Sequence, residues 1–296
     1  GARLYSAGYG FTTPNGPPGM KYLNRPATPA QAVAEMDSLA ALRPTVVKMW
    51  VDDFGGSSPK MDSNIYKAII ATAHRHGIRV ASHLYYLSDA KSLVGNGLDI
   101  LAHSVRDREI DNALLQQMKA RGVAYIPTLS LDEYAYIYSR RPEWINDPFF
   151  KASLEPGVYE MITSKKYQDN LKNSPSYQRN VHAFETALKN VKSVSDAGIL
   201  VALGTDSGAQ PVRAQGFSEH LEMELLVQAG LTPLQAISAA TKNAAEVLKI
   251  SDHYGTIEPG KTADFLLLGG NPVQDIKNTR KIVAVYKAGK AVAKTF

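Results

Sequence analysis

The chain has 296 residues, 44% of them hydrophobic, so it can bury a large core, and one large domain with a small appendage is expected. The formal net charge is +5, but lysine and arginine are scattered rather than clustered, which argues against nucleic-acid binding. The absence of cysteine excludes disulfides, thiolate metal ligands and a cysteine nucleophile, and no apolar run reaches the roughly 18 residues that a membrane span requires. A chain without cysteine is compatible with reducing and oxidising compartments alike, so the localisation stays open.

The first part of the chain alternates predicted strands and helices. The predicted strands share a short apolar run bounded by turn residues, and they cover 3–8, 45–51, 78–83, 98–103 and 123–127. The predicted helices share a capping residue or glycine at an end, and they cover 28–42, 62–77, 88–94 and 109–121. This alternation predicts an α/β fold with parallel strands, which is either a doubly wound sheet or a (β/α) barrel.

The alternation breaks after residue 127. The segment 128–176 is rich in aromatic residues and too long for an ordinary connection, so it is either a functional cover over a site or an insertion that packs on its own aromatics. A helix over 177–197 and a strand beginning at residue 199 follow it. The remaining predicted elements are helices over 218–229, 233–241 and 243–248 and antiparallel strands over 263–268, 282–287 and 290–293.

Four polar side chains lie at or near the carboxyl ends of different predicted strands. They are Lys48, His83, His103 and Asp206, the last of which ends the apolar run ILVALGTDSG. Each alone has an ordinary explanation: a turn aspartate, a core histidine bonded to a backbone carbonyl, or a lysine that reaches solvent. In a barrel, however, the carboxyl ends of the strands converge on one mouth, so the four together favour the barrel and a shared site.

The chemistry of this set indicates a metal centre. Two imidazoles and a carboxylate suit Zn, Mn, Fe, Co or Ni, and a metal-bound water loses its proton near neutral pH to become a hydroxide nucleophile. Lys48 is the exception, because an ammonium group is repelled by a divalent ion. It either points away or has reacted with carbon dioxide to form a carbamate, which is an anionic ligand.

Several stretches of the chain resemble the amidohydrolase superfamily, in particular the imidazolonepropionase and prolidase-like group. They are VVKMWVDD, VASHLYYLSDA, LDILAHSV, VALGTDSG, the run from HLEMELLVQAG to AAEVLKI, GTIEPGKTADFLLL, and KIVAVYKAGKAV. The resemblance implies a (β/α)8 TIM-type barrel portion over 1–252, with strands 3 to 8 present, and strands of a small β-sandwich over 253–296. It also implies a metal-dependent hydrolase that cleaves amide carbon–nitrogen bonds of a small-molecule substrate, of the cyclic amide, dipeptide or N-acyl amino acid type.

The resemblance also implies a role for each polar strand end. Lys48 would be the carboxylated bridging ligand, His83 and His103 would be ligands on strands 5 and 6, and Asp206 would be the strand 8 ligand that shuttles the proton. Zinc is the expected metal, with one or two ions per site and carbon dioxide bound as the lysine carbamate. The protein is expected to be an enzyme without a nucleic-acid partner and without a membrane span, and a homo-oligomer is left open.

The chain departs from the family in lacking the His-x-His pair that ends strand 1. His74 and His76 cannot replace that pair, because they lie at the end of a predicted helix, where residues two apart point in different directions. Six strands do not close a barrel of eight. The expectation is therefore that this chain is the C-terminal portion of a longer polypeptide and that the missing N-terminal portion is its partner.

Candidate substrate contacts follow the two histidines. Tyr85, Tyr86 and Arg106 are predicted in loops at the mouth, where Arg106 either clamps a substrate carboxylate or pairs with a neighbouring acid. His220 is either a supporting partner of the metal ligands or an ordinary capping residue. A lactonase or phosphotriesterase on the same scaffold and a non-catalytic barrel subunit remain alternative functions, because a fold alone does not determine a reaction.

Overall fold

The computed structural model describes residues 2–292, which form two compact units. The first unit comprises residues 2–127 and 193–200, and the second comprises Thr128–Lys192 and residues 201–292. The predicted domain boundary between residues 252 and 253 stays a prediction.

A parallel sheet of four strands belongs to the first unit. Its strands, hydrogen-bonded in chain order, are β1 Val47–Trp50, β2 Val80–His83, β3 Ile100–Ala102 and β4 Ala124–Ile126. Most of their residues are buried and apolar, as expected for parallel strands, which are usually covered on both faces. Four of the six predicted strands and their parallel connections are therefore confirmed.

One helix precedes these strands and three connect them, and short-range chemistry accounts for where the helices begin and end. They are α1 Pro29–Ala40, α2 Ser63–Arg75, α3 Leu87–Gly95 and α4 Asn112–Arg121. The side chains of Thr28 and Asp62 accept hydrogen bonds from backbone N–H groups in the first turns of α1 and α2, which confirms both as N-caps. Gly122 ends α4 in a left-handed conformation with φ of 65°, which glycine adopts without steric cost.

The predicted strands over 3–8 and 199–204 are not formed as regular strands, and in this respect the prediction was wrong. Residues 2–8 make no ladder, and the nearest strand-like pairings are two isolated parallel bridges, from Phe11 to Asn24 and from Phe11 to Met49. In the later run, Leu200 accepts a hydrogen bond of 2.8 Å from the Tyr125 N–H within the first unit. The Leu203 N–H instead donates to the carbonyl of Ala239, a helical residue of the second unit, so no ladder continues.

The second unit is mostly helical. Its helices are α5 Leu129–Tyr134, α6 Pro148–Ala152, α7 Val158–Thr163, α8 Lys165–Lys172, α10 Phe217–Gln228, α11 Pro233–Ala240 and α12 Lys242–Val247, while α9 Tyr177–Asp196 begins in this unit and ends in the first. Three short 3₁₀ helices cover Ile137–Ser139, Glu143–Asn146 and Ile276–Arg280. Trp144 packs with ring centroids 4.8 Å from Phe150 and 6.0 Å from Tyr138, which favours an insertion that packs on its own aromatics.

A three-stranded antiparallel sheet lies near the end of the chain. It consists of β5 Phe265–Leu268, β6 Ile282–Lys287 and β7 Lys290–Ala291. This confirms the predicted antiparallel strands, apart from Ala293, which lies outside the described residues. Over residues 2–292, every helix is too short or too polar to traverse a lipid bilayer.

Candidate active site

Two histidines meet at the carboxyl ends of neighbouring strands in the first unit. His83 is the last residue of β2, and His103 directly follows β3. Because Ala102 lies opposite His83 in the parallel register, His103 emerges beside the end of β2. The two ring centroids are 4.7 Å apart, with the rings edge to face, and the His103 side chain is buried. The predicted convergence of these two strand ends is correct.

Asp52, which we did not single out in the sequence, completes this cluster. It lies two residues beyond the end of β1, and its Oδ2 is 3.0 Å from Nε2 of His83. The ring of Phe54 stacks on His83 with centroids 5.2 Å apart. The rule that selected Asp206, an acidic residue just after a buried strand, would also have selected Asp52.

Burial and charge determine the protonation of His83 and Asp52. Burial, reinforced by the positive charges of Lys48 and Arg106, lowers the pKa of His83 to about 4 despite the bonded Asp52. Burial alone would raise the pKa of Asp52, but the hydrogen bond and charge of His83, the Phe54 N–H and the charge of Arg106 together lower it. At neutral pH a neutral imidazole therefore donates from Nε2 to an ionised carboxylate, which leaves the lone pair on Nδ1 of His83 available to a metal.

Lys48 lies on β1, on the same face of the sheet as Trp50 and His83, since Trp50 and His83 are opposite each other in the register. Its Nζ is 5.4 Å from the centroid of the Trp50 ring, and the residue is half-buried. Its positive charge lowers the pKa of His83, which indicates that the two side chains are near each other. Carboxylation of Lys48 stays a prediction.

The three predicted substrate contacts also belong to the first unit. Arg106 is buried, and its guanidinium carbon lies 5.1 Å from the centroid of the Tyr85 ring. The hydroxyl of Tyr86 donates to Oδ1 of Asp53 at 2.9 Å. Burial and this neighbouring carboxylate raise the pKa of Tyr86 to about 12, so its hydroxyl stays protonated. The structure brings these residues near the histidine pair, while their contact with a substrate stays a prediction.

The remaining predicted site residues, Asp206 and His220, belong to the second unit. Asp206 is an exposed residue with a positive φ of 52°, and its carboxylate forms an ion pair with Arg213. His220 lies in α10 and is buried, with its ring centroid 5.3 Å from that of Phe149. Burial lowers the pKa of His220, and its Nδ1 has no hydrogen-bond partner among the described residues. The N-cap of α10 is Gly216, and the proposed support of the ligands by His220 stays a prediction.

His74 and His76 do not form a metal-binding pair, as expected from the geometry of a helix. His74 lies in α2 and His76 follows its end, and both side chains are about 40% exposed. His74 Nε2 lies 2.8 Å from Asp99 Oδ2, whereas His76 Nε2 lies 2.7 Å from Asp37 Oδ1. The two histidines bond to different carboxylates, so they do not chelate one ion.

The donor chemistry of the histidine pair fits a divalent metal, because two close imidazoles, one of them held neutral, are suitable ligands. Within residues 2–292, no group of three or more His, Cys, Asp or Glu side chains is arranged to hold an ion. A cavity of about 590 Å³ lies in the second unit, between the 3₁₀ helices and α10, and contains none of the predicted site residues. The candidate active site around His83 and His103 is therefore identified by its side chains and not by a cavity.

A parallel sheet that presents histidine and carboxylate side chains at its strand ends is typical of α/β enzymes, which place functional groups there. Residues 2–292 match the model of the amidohydrolase family, and the chain belongs to this family. The resemblance noted in the sequence is thereby confirmed.

Individual relatives agree with this assignment. The chain is 29% identical over 230 residues to ochratoxinase from Aspergillus niger, covering 76% of this chain and 40% of the relative. It is 42% identical over 103 residues to imidazolonepropionase from Deinococcus deserti, covering 33% of this chain and 25% of the relative. The chain thus spans less than half the length of these relatives.

Solved structures show the same architecture. A Xaa-Pro dipeptidase with methionine bound in its active site superimposes with a TM-score of 0.69 at 22% identity, covering 91% of this chain and 60% of that one. The A. niger ochratoxinase superimposes with a TM-score of 0.66 at 23% identity, covering 95% of this chain and 59% of that one. These neighbours imply a TIM-barrel-type fold.

Proposed function

We propose that the protein is a metal-dependent hydrolase that cleaves amide carbon–nitrogen bonds in a small molecule, of the cyclic amide, dipeptide or N-acyl amino acid type. The observation that carries the proposal is the pair of adjacent imidazoles, His83 and His103, with His83 held neutral beside the ionised Asp52. Membership of the amidohydrolase family and the similarity to ochratoxinase and imidazolonepropionase support amide-type substrates.

The proposed ligands are those implied by the family resemblance. His83, His103 and Asp206 would hold one or two divalent ions, expected to be zinc, and Lys48 would join them as a carbamate formed with carbon dioxide. These ligands would stand at the ends of strands 4, 5, 6 and 8 of an eight-stranded barrel. When bound, such an ion polarises the substrate carbonyl and lowers the pKa of water.

The chain's own residues supply orientation and proton transfer. Asp52 fixes the tautomer of His83 through the hydrogen bond at Nε2. Arg106, held against Tyr85, binds a substrate carboxylate, and Tyr86 contacts the substrate beside it. Asp206 takes the proton from the attacking water and passes it to the leaving nitrogen, and His220 supports the site from α10.

An Asp206→Asn variant tests the proposal. Loss of the proton acceptor is expected to lower kcat for amide hydrolysis by roughly 100-fold or more, because positioned general bases contribute about that much. Hydrolysis is measured on N-acyl amino acids, dipeptides and cyclic amides, with the metal content of each sample determined in parallel. Asp169→Asn, which removes an exposed carboxylate paired with Lys165, is the matched control and is expected to keep full activity.

Full activity of Asp206→Asn would contradict the role given to this carboxylate. A higher rate on lactones or phosphotriesters than on any amide would favour the alternative activity on the same scaffold. A folded protein that binds no divalent metal and hydrolyses none of these substrates would favour the non-catalytic subunit.

A further inference from the structure

Asp206 lies in a turn that is strained at the residue itself. Its φ of 52° is in the left-handed region, which residues with a side chain rarely adopt because Cβ approaches the following carbonyl oxygen. Such a conformation persists only where surrounding interactions hold it, and it occurs often at functional positions. The flanking residues, Thr205 and Ser207, make interactions of this kind.

Glu219 bonds to both flanking residues. Its Oε1 lies 3.0 Å from the Thr205 hydroxyl and 3.0 Å from the Ser207 hydroxyl, and both hydroxyls can donate to it. The Ser207 N–H also donates to the Thr205 hydroxyl at 3.2 Å. Thr205 is buried and Glu219 is half-buried, so water competes only partly for these bonds. One carboxylate oxygen thus joins the two sides of the strained residue.

The second oxygen of Glu219 anchors this arrangement to a helix. Glu219 is the third residue of α10, and its Oε2 accepts a hydrogen bond of 2.8 Å from the N–H of Gly216, which precedes the helix. The turn around Asp206 is therefore tied through a single side chain to the first turn of a helix of 12 residues.

Helix α11 provides a comparison in which the equivalent side chain only caps its helix. There Gln235, also the third residue of its helix, accepts from the N–H of Thr232 at 2.8 Å and from the hydroxyl of the same Thr232 at 3.0 Å. The side-chain oxygen of Gln235 serves only the helix end. Glu219 does the same with one oxygen and uses the other for residues more than ten positions earlier in the chain.

We propose that Glu219 is a positioning residue that holds the strained turn of Asp206 in its working conformation. The inference rests on the proposed function only in that Asp206 is taken to transfer the proton. Without Glu219, the strain at Asp206 relaxes toward ordinary backbone conformations, and the carboxylate leaves the position required for the reaction.

The experiment compares Glu219→Ala with Gln235→Ala in the purified protein. Both variants remove a bond to a helix-capping N–H, so they share the loss of capping, and only Glu219→Ala releases the turn. We expect Glu219→Ala to lower kcat about tenfold or more with little change in KM, and Gln235→Ala to keep kcat. Amide hydrogen exchange at residues 205–208 is expected to accelerate in Glu219→Ala but not in Gln235→Ala. Glu219→Gln keeps an oxygen acceptor, so its kcat and its exchange rate are expected to lie between those of wild type and Glu219→Ala.

A second set of variants leaves the helix cap intact. Thr205→Val and Ser207→Ala remove the two hydroxyls while Oε2 of Glu219 still accepts from Gly216, so they report on the turn even if Glu219→Ala fails to fold. Exchange at 205–208 unchanged in both Glu219→Ala and the hydroxyl double variant would overturn the inference, whether or not the protein hydrolyses amides. Full activity of Asp206→Asn would contradict the proposed function instead, and accelerated exchange in Glu219→Ala would still support its hold on the turn.

Discussion

Each unit of the molecule buries a carboxylate, and the two respond to burial in opposite directions. Asp52 in the first unit has its pKa lowered, because an imidazole hydrogen bond, a backbone N–H and the charge of Arg106 outweigh the cost of burial. Glu222 in the second unit is completely buried, and burial raises its pKa to about 8 although its two oxygens each accept a 2.7 Å hydrogen bond, from the N–H groups of Leu129 and Ser130.

The difference shows that the charge of the surroundings, rather than burial alone, determines whether a buried acid is ionised. Backbone N–H groups satisfy the oxygens of Glu222, but they are dipoles and do not supply the full charge that a cation does. Asp52 is thus suited to fixing His83, the proposed metal ligand, whereas Glu222 is suited to holding the start of α5.

Replacement of Glu222 is expected to give the largest effect. Glu222→Ala leaves the buried N–H groups of Leu129 and Ser130 without an acceptor, which costs about 1–3 kcal/mol each, so the free energy of unfolding should fall by about 2–6 kcal/mol. Urea unfolding at pH 7 measures it. Glu222→Gln keeps one acceptor oxygen and should lose less; equal losses in the two variants would show that the hydrogen bonds are not what stabilises this region.

The pH dependence of stability sharpens the contrast. The pKa of Glu222 is about 8 in the folded protein against an ordinary value of 4.5, so the folded state keeps a proton that the unfolded state releases. The stability from this group is complete below pH 4.5 and is lost as the pH rises toward 8, with a slope of up to about 1.4 kcal/mol per pH unit. The Tm of thermal unfolding should therefore fall more steeply between pH 5 and pH 8.5 for wild type than for Glu222→Gln. Parallel curves would refute the assignment.

Asp52 is expected to act through the metal rather than through stability. In Asp52→Asn the amide can either accept from or donate to Nε2 of His83, so the imidazole is no longer held in one tautomer. The affinity for a divalent metal should therefore fall about 10- to 100-fold. Competition with a chelator, read out as metal retained per chain, measures the change. Asp53→Asn is the matched control, since Asp53 bonds to Tyr86 and not to His83. Equal losses from both variants would rule out a specific role for Asp52.

At pH 5 the smallest effect is expected at Glu133, a buried acid of the second unit whose Oε2 has no hydrogen-bond partner among the described residues. Burial raises its pKa to about 7, so the carboxyl is neutral at pH 5 and charged at pH 8. Glu133→Gln should change the free energy of unfolding little at pH 5 and increase it by up to about 3 kcal/mol at pH 8, because the folded protein then no longer has to bury this charge. Urea unfolding at the two pH values tests this, and a large loss at pH 5 would point to an interaction that the structure does not show.

Local sequence patterns predicted most of the regular elements. Thr28 and Asp62 cap their helices as expected, and Gly122 ends α4, because these signals act between residues within four positions of each other. The apolar runs likewise predicted four parallel strands and placed His83 and His103 at neighbouring strand ends. The run beginning at residue 199 misled for the same reason, since its pattern is that of a strand but the Leu203 N–H finds a helical partner.

The chain's amino-acid order by itself therefore determined the family, the helix ends and the two imidazoles, all of which depend on neighbouring residues or on motifs. The tertiary structure alone decided that Asp52 bonds to His83, that Glu219 bonds to Thr205 and Ser207 and that Glu222 receives N–H groups from residues 92 and 93 positions away. Such pairings leave no periodic pattern, and the pKa of a buried acid depends on which charges and dipoles the fold brings to it.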